Sequence, residues 1–236
     1  MTFDVRSTKR PAHRKRGQAR LAFWISLAVA ILGSLTTESA SQTEGSRPWI
    51  GAVRIIRNGE QSGSGVYLKS GLVLTAAHLT AAEAEMSVHI AGVRLPARVL
   101  KQGLFEDVDL SLLSVEVEKL PRSPVLPDMR LCNAPPWPGD PVIVVDAQGA
   151  ARSRIVSPQV LAFQFRHKFT TLIADVATTG NSGSGVFDPD RKCLLGIMSR
   201  KFMSQTPQGQ KDIAKYFVPT SVIREFIPAE FSPLLR

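Results

Sequence analysis

The chain has 236 residues, 44% of them apolar, with 29 basic residues against 20 acidic ones and a net charge of +9. That length and apolar content exclude a disordered chain and leave room for one large or two small domains with a packed core. The charge is concentrated at one end: residues 1–20 hold Arg6, Lys9, Arg10, Arg14, Lys15, Arg16 and Arg20 against the single acid Asp4, leaving 22 basic and 19 acidic residues elsewhere. With the bulk of the protein nearly balanced and no base-reading motif present, the composition gives no support to a nucleic-acid-binding class.

The basic leader, 1–20, runs into an uncharged stretch, "LAFWISLAVAILGSL", at 21–35. A basic segment followed by an apolar one of this length is the pattern of an export signal. Its fifteen apolar-segment residues are short for a bilayer core, which takes about 20. Small residues follow (Thr36, Thr37, Ser39, Ala40, Ser41), but Glu38 interrupts the best cleavage site. A cleaved signal peptide and an uncleaved inner-membrane anchor both stay open. In either case the positive-inside rule leaves the leader in the cytoplasm and the rest exported, periplasmic or secreted. Residues 36–47 are small and polar and read as a linker.

From residue 48 onward short apolar runs alternate with turn residues. Strands are expected at Ile50–Arg57, 65–69, 72–76, Val88–Ile90, Arg94–Leu100 and Leu110–Val115, the first followed by the turn "NGEQSG". Seven prolines between Pro121 and Pro141 allow little regular structure and mark a crossing near 119–141. Strands resume at Val142–Asp146, Arg154–Phe163, Leu172–Val176, Val186–Phe187, Leu194–Ser199 and Tyr216–Val218. Thr220 to Ile227 reads as a short helix, capped by Thr220 or Ser221 and stopped by Pro228. Many short strands without intervening helices predict an all-β sandwich or barrel, and the central crossing predicts two. An exported chain meets oxidising conditions, so Cys132 and Cys193 are candidates for one disulfide, with two buried free thiols as the alternative.

Three stretches carry candidate chemistry. "VLTAAHL" is an apolar strand ending in small residues and then His78. "EDVDLSLLSVE" puts Asp109 at the mouth of an apolar strand, 31 residues further on. "TTGNSGSGVFD" wraps Ser182 in glycines, 73 residues after Asp109. A flexible linker does not explain this last stretch, because "TLIADVA" and "GVF" flank it directly.

In that order, "TAAH", "D-L-S-L" and "GNSGSG" resemble the motifs of trypsin-like (chymotrypsin-fold) serine peptidases, and the resemblance covers about 48–228. The spacing and the "GNSGSG" are similar to bacterial HtrA-like and glutamyl-endopeptidase-like members. The resemblance implies two six-stranded antiparallel β-barrels with a short C-terminal helix, in one peptidase domain spanning 48–236. It implies Ser182 as nucleophile, His78 as general base and acid, and Asp109 as the group that orients the imidazole. Asp107 is the runner-up for that last role; Asp109 is preferred because it directly precedes the apolar strand. The backbone N–H groups of Gly180 and Ser182 would form the oxyanion hole. The specificity pocket would be based on Val176, with Thr178 nearby and Ser199, Arg200 and Lys201 on the opposite wall.

An uncharged Val176 disfavours Lys or Arg in the substrate and leaves an acidic or a small apolar residue. Asn181 stands where zymogens of the family carry an aspartate that pairs with a new N-terminus, so no switch of that type is expected. The expected activity is that of an exported, metal-independent serine endopeptidase acting on protein or peptide substrates. It would need no cofactor, bind no nucleic acid, and touch a membrane only through an uncleaved N-terminal segment. A catalytically silent binding protein on the same fold is the alternative.

Overall fold

Along Ala52–Arg57 buried Val53 and Ile55 alternate with more exposed neighbours, the period of a strand with one face on a core. That strand, β1, is the first of twelve in a computed structural model describing residues 51–120, 129–174 and 182–235. The basic leader, the apolar stretch and the linker all lie outside the described residues. None of the described helices is long and apolar enough to cross a membrane.

β1, β2 (Glu60–Tyr67), β3 (Leu72–Thr75), β4 (Met86–Ile90), β5 (Val93–Gln102) and β6 (Ser111–Val115) close a barrel in the order β1-β2-β3-β6-β5-β4. β7 (Pro141–Val145), β8 (Ala150–Val156), β9 (Leu172–Ala174), β10 (Gly185–Asp188), β11 (Cys193–Thr206) and β12 (Gly209–Pro219) close a second, in the order β10-β11-β12-β9-β8-β7. The pairings within both barrels are antiparallel. A seven-residue helix, α1 (Thr220–Phe226), follows the last strand. This is the two-barrel architecture expected from the sequence.

Three apolar clusters explain how the barrels sit together. One fills the first barrel (Val53, Ile55, Val73, Val88, Leu113). Another fills the second (Val142, Val144, Ile173, Val186, Leu195). The largest joins the two, combining Val66, Leu72, Leu74 and Leu112 with Phe187, Ile197, Ile223 and Phe226. β3 and β10 therefore face apolar cores on both sides. Leu72 and Leu74 enter the joint between barrels while Val73 points into the first barrel. All four residues of each strand are buried, so neither shows the alternation of a half-exposed strand. Each large side chain so buried contributes roughly 1.5–3 kcal/mol.

Several details differ from the sequence expectation. The turn after β1 is shorter than "NGEQSG": only Asn58 (φ 50°) and Gly59 (φ 85°) make it, and Glu60 already pairs with Arg57. An Asn-Gly pair with both φ angles positive suits the twist of a two-residue hairpin. β8 ends at Val156, because Pro158 opens a 3-10 turn rather than continuing the ladder. β11 and β12 extend far past their expected ends into a hairpin closed at Pro207 and Gln208. No side-chain cap opens α1; the Thr220 hydroxyl instead donates to the carbonyl of Cys132 (3.1 Å). Cys132 and Cys193 are bonded, tying the segment that enters the second barrel to the start of β11.

Candidate active site

β3 and β6 are neighbours in the first barrel, with Thr75 opposite Ser111. This register puts the residues just after Thr75 and just before Ser111 at the same rim. A single 3-10 turn, Ala77–Leu79, presents His78 there, and Asp109 lies two residues before β6 begins. Gln102 of β5 fixes the turn through its amide, which donates to the carbonyls of Ala77 (3.2 Å) and Thr80 (3.0 Å). Buried Thr80 adds a bond to Ala77 O (3.0 Å) and shares one with the Ser111 hydroxyl (2.7 Å).

The His78 imidazole is 29% exposed and the Asp109 side chain only 1%. His78 Nδ1 lies 3.0 Å from Asp109 Oδ1 and 2.9 Å from Oδ2, and the backbone N–H of His78 donates to Oδ1 (3.1 Å). The Ser199 hydroxyl donates to Oδ2 (2.6 Å). Burial works against ionisation of Asp109. The hydrogen bonds from the imidazole, from Ser199 and from the His78 N–H outweigh it and hold the carboxyl below the usual aspartate range. An ionised carboxylate only accepts, so the Nδ1 proton stays on the imidazole and Nε2 is the basic nitrogen. Asp107, the runner-up, is exposed and makes none of these contacts. The Phe105 ring meets the imidazole edge-on at 5.2 Å.

Ser182 reaches the same place from the second barrel. Its carbonyl accepts from the N–H of Ser64 on β2 (3.0 Å), and Gly183 N donates to Met198 O on β11 (2.8 Å). Gly183 has φ +83°, and a side chain there would run into the Ser64 carbonyl and the Thr75 hydroxyl. The glycine is therefore required both by the backbone turn and by the close approach of the two barrels. The Ser182 hydroxyl donates to the carbonyl of Ser199 at 3.4 Å. A cavity of about 320 Å³ opens beside it, lined by Gln61, Ser62, Gly63 and Gln148.

The sequence reading put Ser199 on a pocket wall. Its buried side chain is turned to Asp109, and its backbone faces Ser182, so it links the two halves of the site. The available signal was its position at the end of an entirely buried run, Cys193–Ser199, where a polar side chain needs a partner. Gln102 and the cavity-lining Gln61 and Gln148 were also missed, because nothing in their sequence context distinguishes them from surface glutamines.

Gly180, Val176 and Thr178, expected in the oxyanion hole and pocket, lie outside the described residues, as does Asn181. Arg200 and Lys201 are both engaged. The Arg200 guanidinium lies over the rings of Phe105 (4.1 Å) and Phe169 (5.0 Å) and donates to the Phe105 carbonyl, while Lys201 pairs with Asp212 (2.8 Å).

No curated protein matches the chain by sequence. Among solved structures it is similar to the active form of the Rv3671c protease from M. tuberculosis (TM-score 0.53, 17% identity, covering 76% of this chain and 80% of that one). It is similar to the MamO protease domain from Magnetospirillum magneticum (0.52, 20%, 76% and 97%) and to kallikrein-related peptidase 10 (0.53, 19%, 77% and 96%). At such identities the likeness speaks for the fold alone. The family model of the trypsin-like peptidase domain matches residues 63–197, more than half of the sequence, and the chain belongs to that family.

Proposed function

We propose that the protein is a serine endopeptidase that cuts peptide bonds through an acyl-enzyme on Ser182. The observation that carries this reading is the buried carboxylate of Asp109 holding His78 Nδ1 at 2.9 Å and 3.0 Å, beside a serine hydroxyl at the joint of two barrels. A serine hydroxyl is a weak nucleophile until a base takes its proton. With Nδ1 held by Asp109, Nε2 of His78 is the nitrogen left to do so. The Ser182 hydroxyl would turn from Ser199 O toward that nitrogen once substrate is bound, as loose contacts in unliganded sites commonly do.

Attack of Ser182 Oγ on the scissile carbonyl forms a tetrahedral oxyanion, met by the N–H groups of Gly180 and Ser182. The imidazolium, stabilised by Asp109, passes its proton to the leaving amine. Water, deprotonated by the same nitrogen, then attacks the ester and releases Ser182. The favoured substrates are proteins or peptides with an acidic or small apolar residue before the cut. Val176 supplies no charge for Lys or Arg, and Arg200 lies one ring away from the imidazole. Export, with the leader removed or kept as an anchor, rests on the basic-then-apolar pattern of 1–35. Completeness of the triad speaks against a silent binding protein.

The test is hydrolysis of a mixture-based peptide library by the purified chain, beside Ser182→Ala and His78→Ala. The reading expects cleavage by the parent alone, lowered by about 10⁴-fold or more in each variant, with few products cut after Lys or Arg. Cleavage that survives in Ser182→Ala would refute it.

A further inference from the structure

The ends of β10 and β11 far from Ser182 border a second cavity, of about 500 Å³. Three arginines line it: Arg130 before the disulfide, Arg191 in the turn between β10 and β11, and Arg224 on α1. Arg224 donates to Leu131 O (3.2 Å) and Asn133 Oδ1 (2.9 Å). Arg191 is held by Asp188 (2.6 Å) and by Ala134 O (3.3 Å), and Arg130 makes a 3.4 Å bond to Arg191 O. Among the described residues Asp188 is the one carboxylate that pairs with any of the three. It is also occupied by the backbone N–H groups of Asp190 (2.9 Å) and Arg191 (2.7 Å).

Three cations around one cavity, with one carboxylate among the described residues paired to them, repel each other. Each guanidinium carries five N–H donors, and the bonds named above use only some of them. The walls are fixed before any ligand arrives. The Cys132–Cys193 disulfide joins the two sides, Leu194 exchanges backbone bonds with Arg130 (2.8 Å) and Cys132 (2.9 Å), and Thr220 anchors α1 to Cys132. A rigid arrangement of forked donors with excess positive charge matches a tetrahedral oxyanion better than a point charge would.

We propose that this cavity is a binding site for a multiply charged oxyanion group, phosphate or sulfate, either free or carried on a polyanion. Arg130 and Arg224, which pair with no carboxylate among the described residues, supply the excess charge, and Arg191, steadied by Asp188, completes the cradle. The occupied site clamps α1, the Arg130–Ala134 segment and the β10–β11 turn together, so binding stabilises the fold. It does not depend on the chemistry at Ser182.

The test measures binding of inorganic phosphate and of tripolyphosphate to the purified full chain by calorimetry, with sodium chloride matching ionic strength. Arg130→Gln/Arg224→Gln, Arg130→Lys/Arg224→Lys and the control Arg152→Gln/Arg154→Gln on exposed β8 positions are compared with the parent. Saturable binding by the parent that weakens at least tenfold in the Gln pair, and severalfold in the Lys pair, with the control unchanged, is the expected result. Comparable affinity for both probes indicates a free anion as the ligand; affinity for tripolyphosphate alone indicates a polyanion. Should the Gln pair fail to fold, Arg130→Gln, which among the described residues gives up a single 3.4 Å side-chain bond, replaces it, and a severalfold weakening is expected. Absence of saturable binding of either probe, or equal losses in the control and the Gln pair, would overturn the proposal.

Discussion

The two barrels have six strands each but prepare their parts of the site differently. In the first, His78 and Asp109 form a finished unit: neighbouring strands set their spacing, and Gln102, Thr80 and Ser111 brace the turn that carries the imidazole. In the second, Ser182 is placed by backbone bonds, one of which crosses to β2 of the other barrel, and among the described residues its hydroxyl makes a single 3.4 Å bond. The orientation of the proposed base is thus set mainly within the first barrel, with one bond to Asp109 added from the second. The distance from His78 to Ser182 is a property of how the barrels pack. Ser199 spans the two, since its hydroxyl holds Asp109 and its carbonyl receives Ser182.

Asp109→Asn breaks the first-barrel unit while leaving its shape, and it carries the largest expected effect. The amide presents a donor to Nδ1 and favours the wrong tautomer, so kcat should fall by about 10⁴-fold with the fold retained. Stability should change as well, with a definite sign. A carboxyl held below its ordinary value stabilises the fold at pH above that ordinary value, about 3.9, and the contribution disappears as pH falls through the lowered value. Acid-unfolding curves should therefore lose part of their low-pH slope in Asp109→Asn.

Removing the disulfide, by Cys132→Ser/Cys193→Ser, tests the second barrel's framework. The bond closes a 61-residue separation, and its loss should cost about 2–4 kcal/mol of stability, read as a lower Tm. Activity per folded molecule should stay near the parent's, because neither cysteine contacts His78, Asp109 or Ser182 in the described hydrogen-bond network. Ser199→Ala is the smallest of the three and tests the link itself. It leaves Asp109 Oδ2 without its 2.6 Å donor, at a cost of about 1–2 kcal/mol, so kcat/KM should drop by about tenfold. Retention of full activity would mean that the two halves do not communicate through this residue.

Much of the fold is legible because β strands advertise themselves through apolar runs and turn residues. All twelve expected strands are present, and the Asn58-Gly59 turn and the Pro228 stop work as their residue types require. The β11–β12 hairpin is not legible. From Arg200 to Asp212 it is mostly polar and carries Pro207, so no apolar alternation marks it as strand. Its apolar contacts come from Phe202, which packs on Phe165 and Phe169, and from Ile213 and buried Ala214 in the same cluster. Within the site, His78 and Ser182 stand in distinctive local sequences, whereas the destination of the Ser199 hydroxyl depends on a partner 90 residues away. Cys132 and Cys193 posed the same difficulty: only folding brings their Cα atoms to 5.1 Å.

The central claim is that His78 and Asp109 activate Ser182, and covalent labelling reads it most directly. The purified chain would be treated with a fluorophosphonate, digested and mapped by mass, beside His78→Ala and Asp109→Asn. One phosphonate on the Ser182 peptide of the parent, with labelling strongly slowed in both variants, is the predicted result. A parent that stays unlabelled while folded and disulfide-bonded, or an adduct on another serine, would contradict the account.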